Sequence, residues 1–201
     1  ANGLGVPANM AEAAQWFRRA ATQGFVLAQY NMGTLLAEGD GLEQNLPEAV
    51  TWFRLAAEQG DADAQFNLGV MLADGQGTAQ NLREAVKWYR LAADQGDASA
   101  QNNLGVALEN GRGVKRNPPQ AATWYRKAAE RGLAEAQSNL GILLSQGLGV
   151  DRDPEQAYFW LTLAAPHEAS ARAPRDALAT QLSPAQRQRL QAQAAAWQPA
   201  Q

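Results

Sequence analysis

Residues 62–97 read ADAQFNLGVMLADGQGTAQNLREAVKWYRLAADQGD, and this unit is repeated along most of the chain. Similar copies occupy residues 26–61, 98–133 and 134–169. A constant period between 20 and 50 residues is typical of proteins built from stacked repeats. The period is 36 residues, and five tryptophans keep it without exception: Trp16, Trp52, Trp88, Trp124 and Trp160.

The unit has the pattern of two helices joined by a glycine-rich turn. Ala64, Leu68 and Leu72 are four residues apart and therefore share one face of a helix. Gly75 and Gly77 form the turn that ends that helix, because glycine readily adopts the positive φ needed there. Asn81 then resembles the N-cap of a second helix. The sequence therefore predicts an all-α solenoid of helix-turn-helix repeats.

Two recurring residues indicate how the helices pack. Gly69 lies inside the first helix, where a glycine costs about 1 kcal/mol relative to alanine. Because it returns as Gly33, Gly105 and Gly141, we expect a neighbouring helix to pass close to it. On the second helix we expect Trp88 to point inward into the core.

The repeats resemble the Sel1-like repeat family, a relative of the tetratricopeptide repeat. The pattern A-x-x-x-L-G-x-x-L-x-x-G-x-G-V, followed by (N/D)-x-x-x-A-x-x-W-(F/Y)-R-x-A-A-x-Q-G, covers residues 3 to about 169. The resemblance implies a right-handed α/α superhelical solenoid that acts as an adaptor for other proteins. Because many bacterial members are exported, it slightly favours a periplasmic or secreted location. This chain has no cysteine, so the disulfide-rich subfamilies and their reported penicillin binding are not expected here.

The chain begins within a unit and ends beyond the last one. Because only the second half of a unit precedes residue 26, we expect the natural protein to extend upstream. At the other end, Pro174 marks a boundary, a short helix follows, and a capping box at Ser183 starts a last helix. This segment is expected to cover the core, with docking through Trp197 as the alternative. The expected divisions are a half repeat at 1–25, repeats at 26–61, 62–97, 98–133 and 134–169 (degenerate at its end), and a helical cap at 170–201.

Composition and motifs exclude several function classes. The net charge is −3, whereas a nucleic-acid partner would favour a basic surface. No apolar run approaches the roughly 20 residues that span a bilayer. The single histidine, His167, and the absence of cysteine argue against a zinc site. No nucleophile motif is present, so we expect neither an enzyme nor a cofactor.

Polar residues that recur in every repeat favour a structural role over ligand contact. A glutamine and an asparagine return on each first helix, as Gln65 and Asn67 do. An arginine follows four of the tryptophans by two residues, as Arg18, Arg54, Arg90 and Arg126, and in three of these cases an acid stands four residues further on. Arg54 and Glu58 are therefore expected to form an ion pair on one helix.

Positions that do not repeat point to a partner-binding surface on the first helices, which line the concave side by analogy with tetratricopeptide repeats. Tyr30 and Phe66 occupy a slot that holds Asn102 and Ser138 in later repeats. The whole face carries five acids and no base. We expect a groove for an apolar or aromatic element of a basic protein; alternatively, both rings pack between neighbouring repeats. The predicted site residues are Leu27, Tyr30, Thr34, Glu38, Asp63, Phe66, Val70, Asp74, Asn102, Val106, Glu109, Ser138 and Ile142.

The sequence thus predicts a non-enzymatic scaffold for protein–protein interaction. A narrower hypothesis is an exported bacterial adaptor, or an immunity or inhibitor protein that neutralises one partner. The alternatives are a repeat module of a larger regulator and, remotely, a hydrolase such as a weak β-lactamase.

Overall fold

Helix pairs build the whole described part of the chain. The computed structural model describes residues 10–200, in which eleven α-helices are joined by turns and no strand occurs. The residues form two compact units, Ala1–Gln95 and Gly96–Gln201, called here the N-terminal and the C-terminal unit. The predicted fold class, an all-α solenoid of helix-turn-helix repeats, is confirmed. None of the helices between residues 10 and 200 combines the length and the apolar character that a membrane span requires.

In the N-terminal unit, each first helix contacts two second helices. It packs against the second helix of its own repeat and against that of the preceding repeat. A helix pair that cannot bury its apolar side alone is thereby covered on both sides. The helices are α1 (Met10–Thr22), α2 (Val26–Glu38), α3 (Leu46–Glu58), α4 (Ala62–Asp74) and α5 (Leu82–Asp94).

The C-terminal unit repeats this arrangement and adds a cap. Its repeats contain α6 (Ala98–Asn110), α7 (Pro118–Glu130), α8 (Ala134–Gln146) and α9 (Pro154–Ala164). A 3-10 turn at Ala169–Ala171, α10 (Arg172–Ala179) and α11 (Pro184–Ala196) then follow, and both cap helices pack on α9.

The boundary expected at Pro174 is wrong, because this proline lies in the first turn of α10. A proline is tolerated there because the first N–H groups of a helix have no partner within it. The capping box of α11 is present as expected. Gln186 N donates to Ser183 Oγ at 3.3 Å, and Ser183 N donates to Gln186 Oε1 at 2.8 Å.

The glycine inside each first helix is needed for close packing, as predicted. A Cβ on Gly69 would lie 2.7 Å from the ring of Tyr89, which is closer than carbon atoms approach. The second helix therefore reaches the first one through an aromatic or aliphatic side chain that fills the glycine notch. The same contact joins Gly33 to Phe53, Gly105 to Tyr125 and Gly141 to Leu161.

The turns also pack tightly, each against the preceding repeat. Gly77 has φ +68, and a Cβ there would collide with the backbone of Leu46 at the start of α3. Gly41 meets Met10 in the same way, at 2.6 Å, and Gly149 meets Pro118 at 2.5 Å. The glycines therefore serve both the turn conformation and the contact between repeats.

The tryptophans differ in burial, and the prediction that Trp88 belongs to the core is wrong. Trp52 and Trp88 are half-buried. Their indole Nε1 atoms donate to Glu48 Oε1 at 3.2 Å and Glu84 Oε1 at 3.4 Å. An indole N–H needs a hydrogen-bond acceptor, and at these half-buried positions the glutamate four residues earlier provides it. Only 7% of Trp124 and 6% of Trp160 are exposed, whereas 61% of Trp16 is exposed.

The recurring glutamine joins successive repeats from within the core, which agrees with a structural role. Gln65 is 4% exposed, and its Nε2 donates to the carbonyl of Ala57 at 3.1 Å. Its Oε1 accepts a hydrogen bond from Gln95 Nε2 at 2.8 Å. Both polar ends of a buried amide are therefore satisfied, as burial requires. Gln29 makes the equivalent pair of bonds, to Ala21 and from Gln59.

The arginines pair between repeats rather than along one helix. In place of the expected pair with Glu58, Arg54 Nη1 contacts Glu84 Oε1 of the next repeat at 2.5 Å. Arg18 pairs with Glu48 over the same distance. Each acid lies in the first turn of a second helix and also accepts the indole bond described above. The arginine's hydrogen bond, aided by the indole, lowers the pKa of both carboxyl groups below the usual range.

Candidate partner-binding site

The first-helix face of the N-terminal unit contains a cavity of about 460 Å³. Helices α2 and α4 form its sides, and the residues that follow α2 close one end. Four predicted site residues line it, namely Tyr30, Thr34, Glu38 and Val70. A cavity of this size falls within the usual range for binding pockets, which is about 300–1,000 Å³. The remaining lining residues are Ala37, Gln44, Leu46, Phe53, Asn67, Met71 and Gln76.

Tyr30 and Phe66 are held by rings of their own repeats. The ring centroid of Tyr30 lies 6.0 Å from that of Phe53, and Phe66 lies 6.2 Å from Tyr89. Both side chains are half-buried. Tyr30 also lines the cavity, whereas Phe66 is not among its lining residues. The two rings thus combine packing within a repeat with partial exposure, a mixture that neither sequence-based alternative described.

An exposed apolar pair precedes Tyr30 on the same helix. Leu27 is 69% exposed one turn before Tyr30, and Phe25 is 62% exposed at the N-cap of α2. Phe25 is not among the site residues predicted from the sequence. The available signal was its departure from the repeat, because Asp61 and Asp97 hold this position later and cap their helices through a carboxylate. A phenylalanine cannot accept that hydrogen bond.

The two helices that form the sides of this cavity carry acidic side chains, of which Glu38 lines it. Glu38, Asp63 and Asp74 are all exposed on α2 and α4, and neither helix contains a lysine or an arginine. The side chain of Asn31 turns back to the carbonyl of Leu27 at 2.7 Å, while Asn67 faces the cavity. The first-helix face of the N-terminal unit is therefore negative with apolar patches.

The corresponding face of the C-terminal unit is more polar and partly covered. Asn102, Val106 and Ile142 are half-buried, and Asn139 Nδ2 donates to Asn102 Oδ1 at 3.0 Å. Ser138 is only 1% exposed, because its Oγ lies 2.9 Å from Ser170 Oγ in the 3-10 turn. The structure therefore contradicts the expectation that Ser138 is available to a partner.

Glu109 differs from its equivalents in the other repeats. The hydroxyl of Tyr125, a fully buried residue, donates to Glu109 Oε2 at 2.7 Å. Burial, together with the neighbouring Glu109 carboxylate, raises the pKa of Tyr125 far above its usual value. The N-terminal unit has Ala37 and Ala73 in this position, so a fixed carboxylate is particular to the repeat at 98–133.

Trp197, for which the sequence allows either a capping or a docking role, packs on the last repeat. Its ring meets Trp160 edge-on, with centroids 6.1 Å apart and planes at 77°. The backbone beyond it is also attached, because Ala200 N donates to the carbonyl of Glu130 at 2.7 Å. Between residues 10 and 200, no group of three or more His, Cys, Asp or Glu side chains is arranged to hold a metal ion.

Comparisons with known proteins place this architecture in a family. The model of the Sel1 repeat matches residues 1–25, 26–61, 62–97, 98–133 and 134–165. A Sel1 repeat protein from Oxalobacter formigenes is 40% identical with a TM-score of 0.78, over 82% of this chain and 68% of that one. The protective antigen c5321 of uropathogenic Escherichia coli, which displays an SLR fold, is 30% identical with a TM-score of 0.52. The alignment covers 96% of this chain and 58% of c5321.

A third solved structure shares the fold at lower identity. The immunity protein Pa5087 from Pseudomonas aeruginosa is 16% identical with a TM-score of 0.52, over 94% of this chain and 76% of that one. A comparison with curated protein sequences gave no match. The five matched segments and the 40% identity show that this chain belongs to the Sel1 repeat family, whose solenoids typically serve as scaffolds for protein–protein interaction.

Proposed function

We propose that this chain is a non-enzymatic adaptor that binds a basic partner protein on the first-helix face of its N-terminal unit. The observation that carries the proposal is the cavity of about 460 Å³ beside Tyr30. Pockets that combine apolar walls with a few polar groups are the usual form of binding sites.

The anchors of the proposed site are Tyr30 and Leu27. The contact with Phe53 orders the Tyr30 ring before a partner arrives, so little side-chain entropy is lost on binding. Leu27 is largely exposed one turn away and would be covered by the partner. Partly buried aromatic residues of this kind often supply most of the binding energy of an interface.

The charge of the face defines the chemistry of the partner. Three acids on α2 and α4, without a base on either helix, favour a segment that carries lysine or arginine beside an apolar or aromatic residue. Complementary charge mainly increases the association rate, which falls with added salt. Within the C-terminal unit itself, Val106 and Glu109 hold the equivalent first-helix positions.

The proposal has a narrower form, in which the chain is an exported adaptor or an immunity or inhibitor protein dedicated to one partner. Its support is that Pa5087, whose name describes it as an immunity protein, has the same fold. The narrower form requires one partner that binds tightly and in a fixed ratio.

Site-specific photo-crosslinking tests the site. A photoreactive amino acid replaces Thr34, which lines the cavity, and in a matched variant it replaces Thr51, which is exposed on α3. We expect Thr34 variants to capture a basic protein from lysate of the source organism in a salt-sensitive manner, and Thr51 variants not to do so. Equal capture from both positions would contradict the proposed site.

The captured protein, once purified, provides the quantitative test. The double change Leu27→Ala, Tyr30→Ala should weaken its binding by at least about tenfold, as expected for truncated anchors. Leu55→Ala removes a 39% exposed leucine from α3 and should leave the affinity unchanged. Unchanged binding by the double variant would contradict the groove as the binding site. A single partner that binds tightly and in a fixed ratio would support the narrower form, a dedicated inhibitor.

A further inference from the structure

A second cavity, of about 690 Å³, lies between α9 and α11 in the C-terminal unit. It shares no residue with the cavity beside Tyr30, and it faces the second-helix side of the last repeat. Its lining consists of a set of aromatic residues and a set of polar residues. The aromatic residues are Phe159, Trp160 and Trp197, and the polar residues are Asp153, Glu155, Gln156, Arg189 and Gln193, with Leu190 and Ala196 completing the wall.

The ring of Trp160 stands nearly perpendicular to the rings of Phe159 and Trp197. Phe159 and Trp160 have centroids 5.1 Å apart and planes at 74°, and Trp160 and Trp197 meet at 77°. Such an arrangement turns the face of one ring toward the edge of the next and forms a corner. The face of an aromatic ring carries negative electrostatic potential and attracts cations, most strongly for tryptophan.

Two equivalent tryptophans of this chain bind cations through their faces, whereas Trp52 and Trp88 are followed by leucine at the same spacing. The ammonium of Lys127 lies 4.1 Å from the ring centroid of Trp124, and the guanidinium of Arg19 lies 4.9 Å from that of Trp16. Each cation stands three residues after its tryptophan. Three residues after Trp160 the chain has Leu163, so the last repeat supplies no cation from this position.

The charges around the cavity also favour a cation. Asp153 and Glu155 are the two carboxylates of the lining, and Arg189 is its single base. Arg189 and Gln186 both contact Glu155, and these bonds hold that carboxylate at the rim. Asp153 caps α9 through Gln156 N at 3.0 Å. The formal charge of the lining is therefore negative.

From the rings and the charges together we infer that this cavity binds the lysine or arginine side chain of a protein partner. The alkyl stem would lie against Trp197 and Phe159, and the charged head would approach Asp153 and Glu155. Such stems commonly cover apolar surface while the charge stays near water or an acid. The site is independent of the groove proposed above, because each lies within its own unit and either could exist without the other.

Titration with small peptides tests the inference by NMR of the indole N–H signals. The probes are Ac-Ala-Lys-Ala-NH₂ and Ac-Ala-Arg-Ala-NH₂, and the neutral control replaces lysine with norleucine. We expect saturable shifts of the Trp160 and Trp197 signals with both cationic peptides and none with the control. Equal binding of the norleucine peptide would overturn the inference in favour of a purely apolar cleft.

Two variants test the roles of the charge and the ring. Glu155→Gln keeps a hydrogen-bonding side chain but removes the carboxylate, and Trp197→Leu removes the ring. Each should weaken the binding of the cationic peptides about fivefold or more, the size expected for one partly desolvated cation–π contact or ion pair. Leu91→Ala, which removes an exposed leucine from α5, should have no effect. If Trp197→Leu abolishes the cooperative thermal transition, Phe159→Leu is used instead, and the same loss of peptide affinity is expected.

Two further outcomes would also overturn the inference. Tetramethylammonium could shift the signals while neither peptide does, which would assign the cavity to a small quaternary ligand. Alternatively, the signals could shift with protein concentration in the absence of any probe, which would indicate that a second copy of the chain fills the cavity.

Discussion

The two units of this molecule share one repeat pattern but stabilise it differently. In the N-terminal unit, arginines join successive second helices through charged bonds, and the tryptophans beside them remain half-exposed. In the C-terminal unit, Trp124 and Trp160 are buried, and Arg126 meets the neutral Gln156 at 3.5 Å. The cap also packs on the last repeat there. The difference teaches that the family pattern fixes the helix pair, whereas individual substitutions decide whether its outer side is charged or apolar.

Tryptophan burial is the difference with the largest expected effect. Trp124→Ala should lower the free energy of unfolding by about 3–5 kcal/mol, the usual range for a buried aromatic residue. Trp52→Ala should cost about 1–2 kcal/mol, because the half-buried ring removes less area from water. Denaturant unfolding, followed by hydrogen exchange in α7 and α3, measures both losses. Equal losses would mean that the two units bury their tryptophans alike, against the structure.

The buried glutamines give the next effect. Gln65→Leu removes the donor to the buried carbonyl of Ala57, and leaving such a group unsatisfied costs about 1–3 kcal/mol. It also removes the bond from Gln95 Nε2, whose side chain is exposed and keeps its bond to Gly60 O. Gln137→Leu in the C-terminal unit should cost less. Its amide donates to the carbonyl of Ala129 at 3.2 Å, but His167, rather than a glutamine, holds the position that Gln95 has in the other unit. Thermal melts compare the two variants, and a larger loss of stability for Gln137→Leu than for Gln65→Leu would contradict this expectation.

The ion pairs give the smallest effect, which depends on pH. Because the folded state lowers the pKa of Glu48 and Glu84, these pairs add stability above the usual glutamate pKa of about 4.3. The contribution is lost as the pH falls through the lowered values, and it should not exceed about 1 kcal/mol per exposed pair. Glu48→Gln, Glu84→Gln should therefore reduce the acid sensitivity of the N-terminal unit, measured by unfolding between pH 6 and pH 3.

The C-terminal unit offers the matched control for this experiment. Gln156→Glu combined with Asp153→Asn places an acid beside Arg126 and the same neutral Asn cap beside it that Glu48 and Glu84 have, so it should introduce the same acid-sensitive step. If neither change alters the pH profile, the ion pairs do not contribute to the difference between the units.

Much of the fold followed from the sequence because its main constraints are local and periodic. The glycine at the position of Gly69 recurs where a large side chain of the second helix, such as Tyr89 or Leu161, occupies its space, so its recurrence predicted a close approach. Trp88 could not be placed in this way. Its indole finds an acceptor in Glu84 four residues earlier, and the repeat pattern does not reveal whether a neighbouring side chain then covers the ring.

The candidate site was predicted less completely, because it depends on contacts between repeats and on the cap. The periodicity placed Tyr30 and Val70 on one face, and both line the cavity. Ser138 has the same periodic position as Phe66, yet Ser170 from the 3-10 turn covers it. Arg54 likewise has acids on two sides, and the distance along its own helix did not reveal that Glu84 would be the partner.

The turn glycines have a consequence for how such a chain can change its length in evolution. Gly41, Gly77 and Gly149 each press against the start of a second helix in the preceding repeat. An insertion of a few residues would lift the turn from this contact, so these connections cannot drift in length as surface loops commonly do. Growth or shortening by duplication and deletion of whole 36-residue units preserves every contact. The close contact of these glycines with the preceding helix therefore favours changes in length by whole repeats.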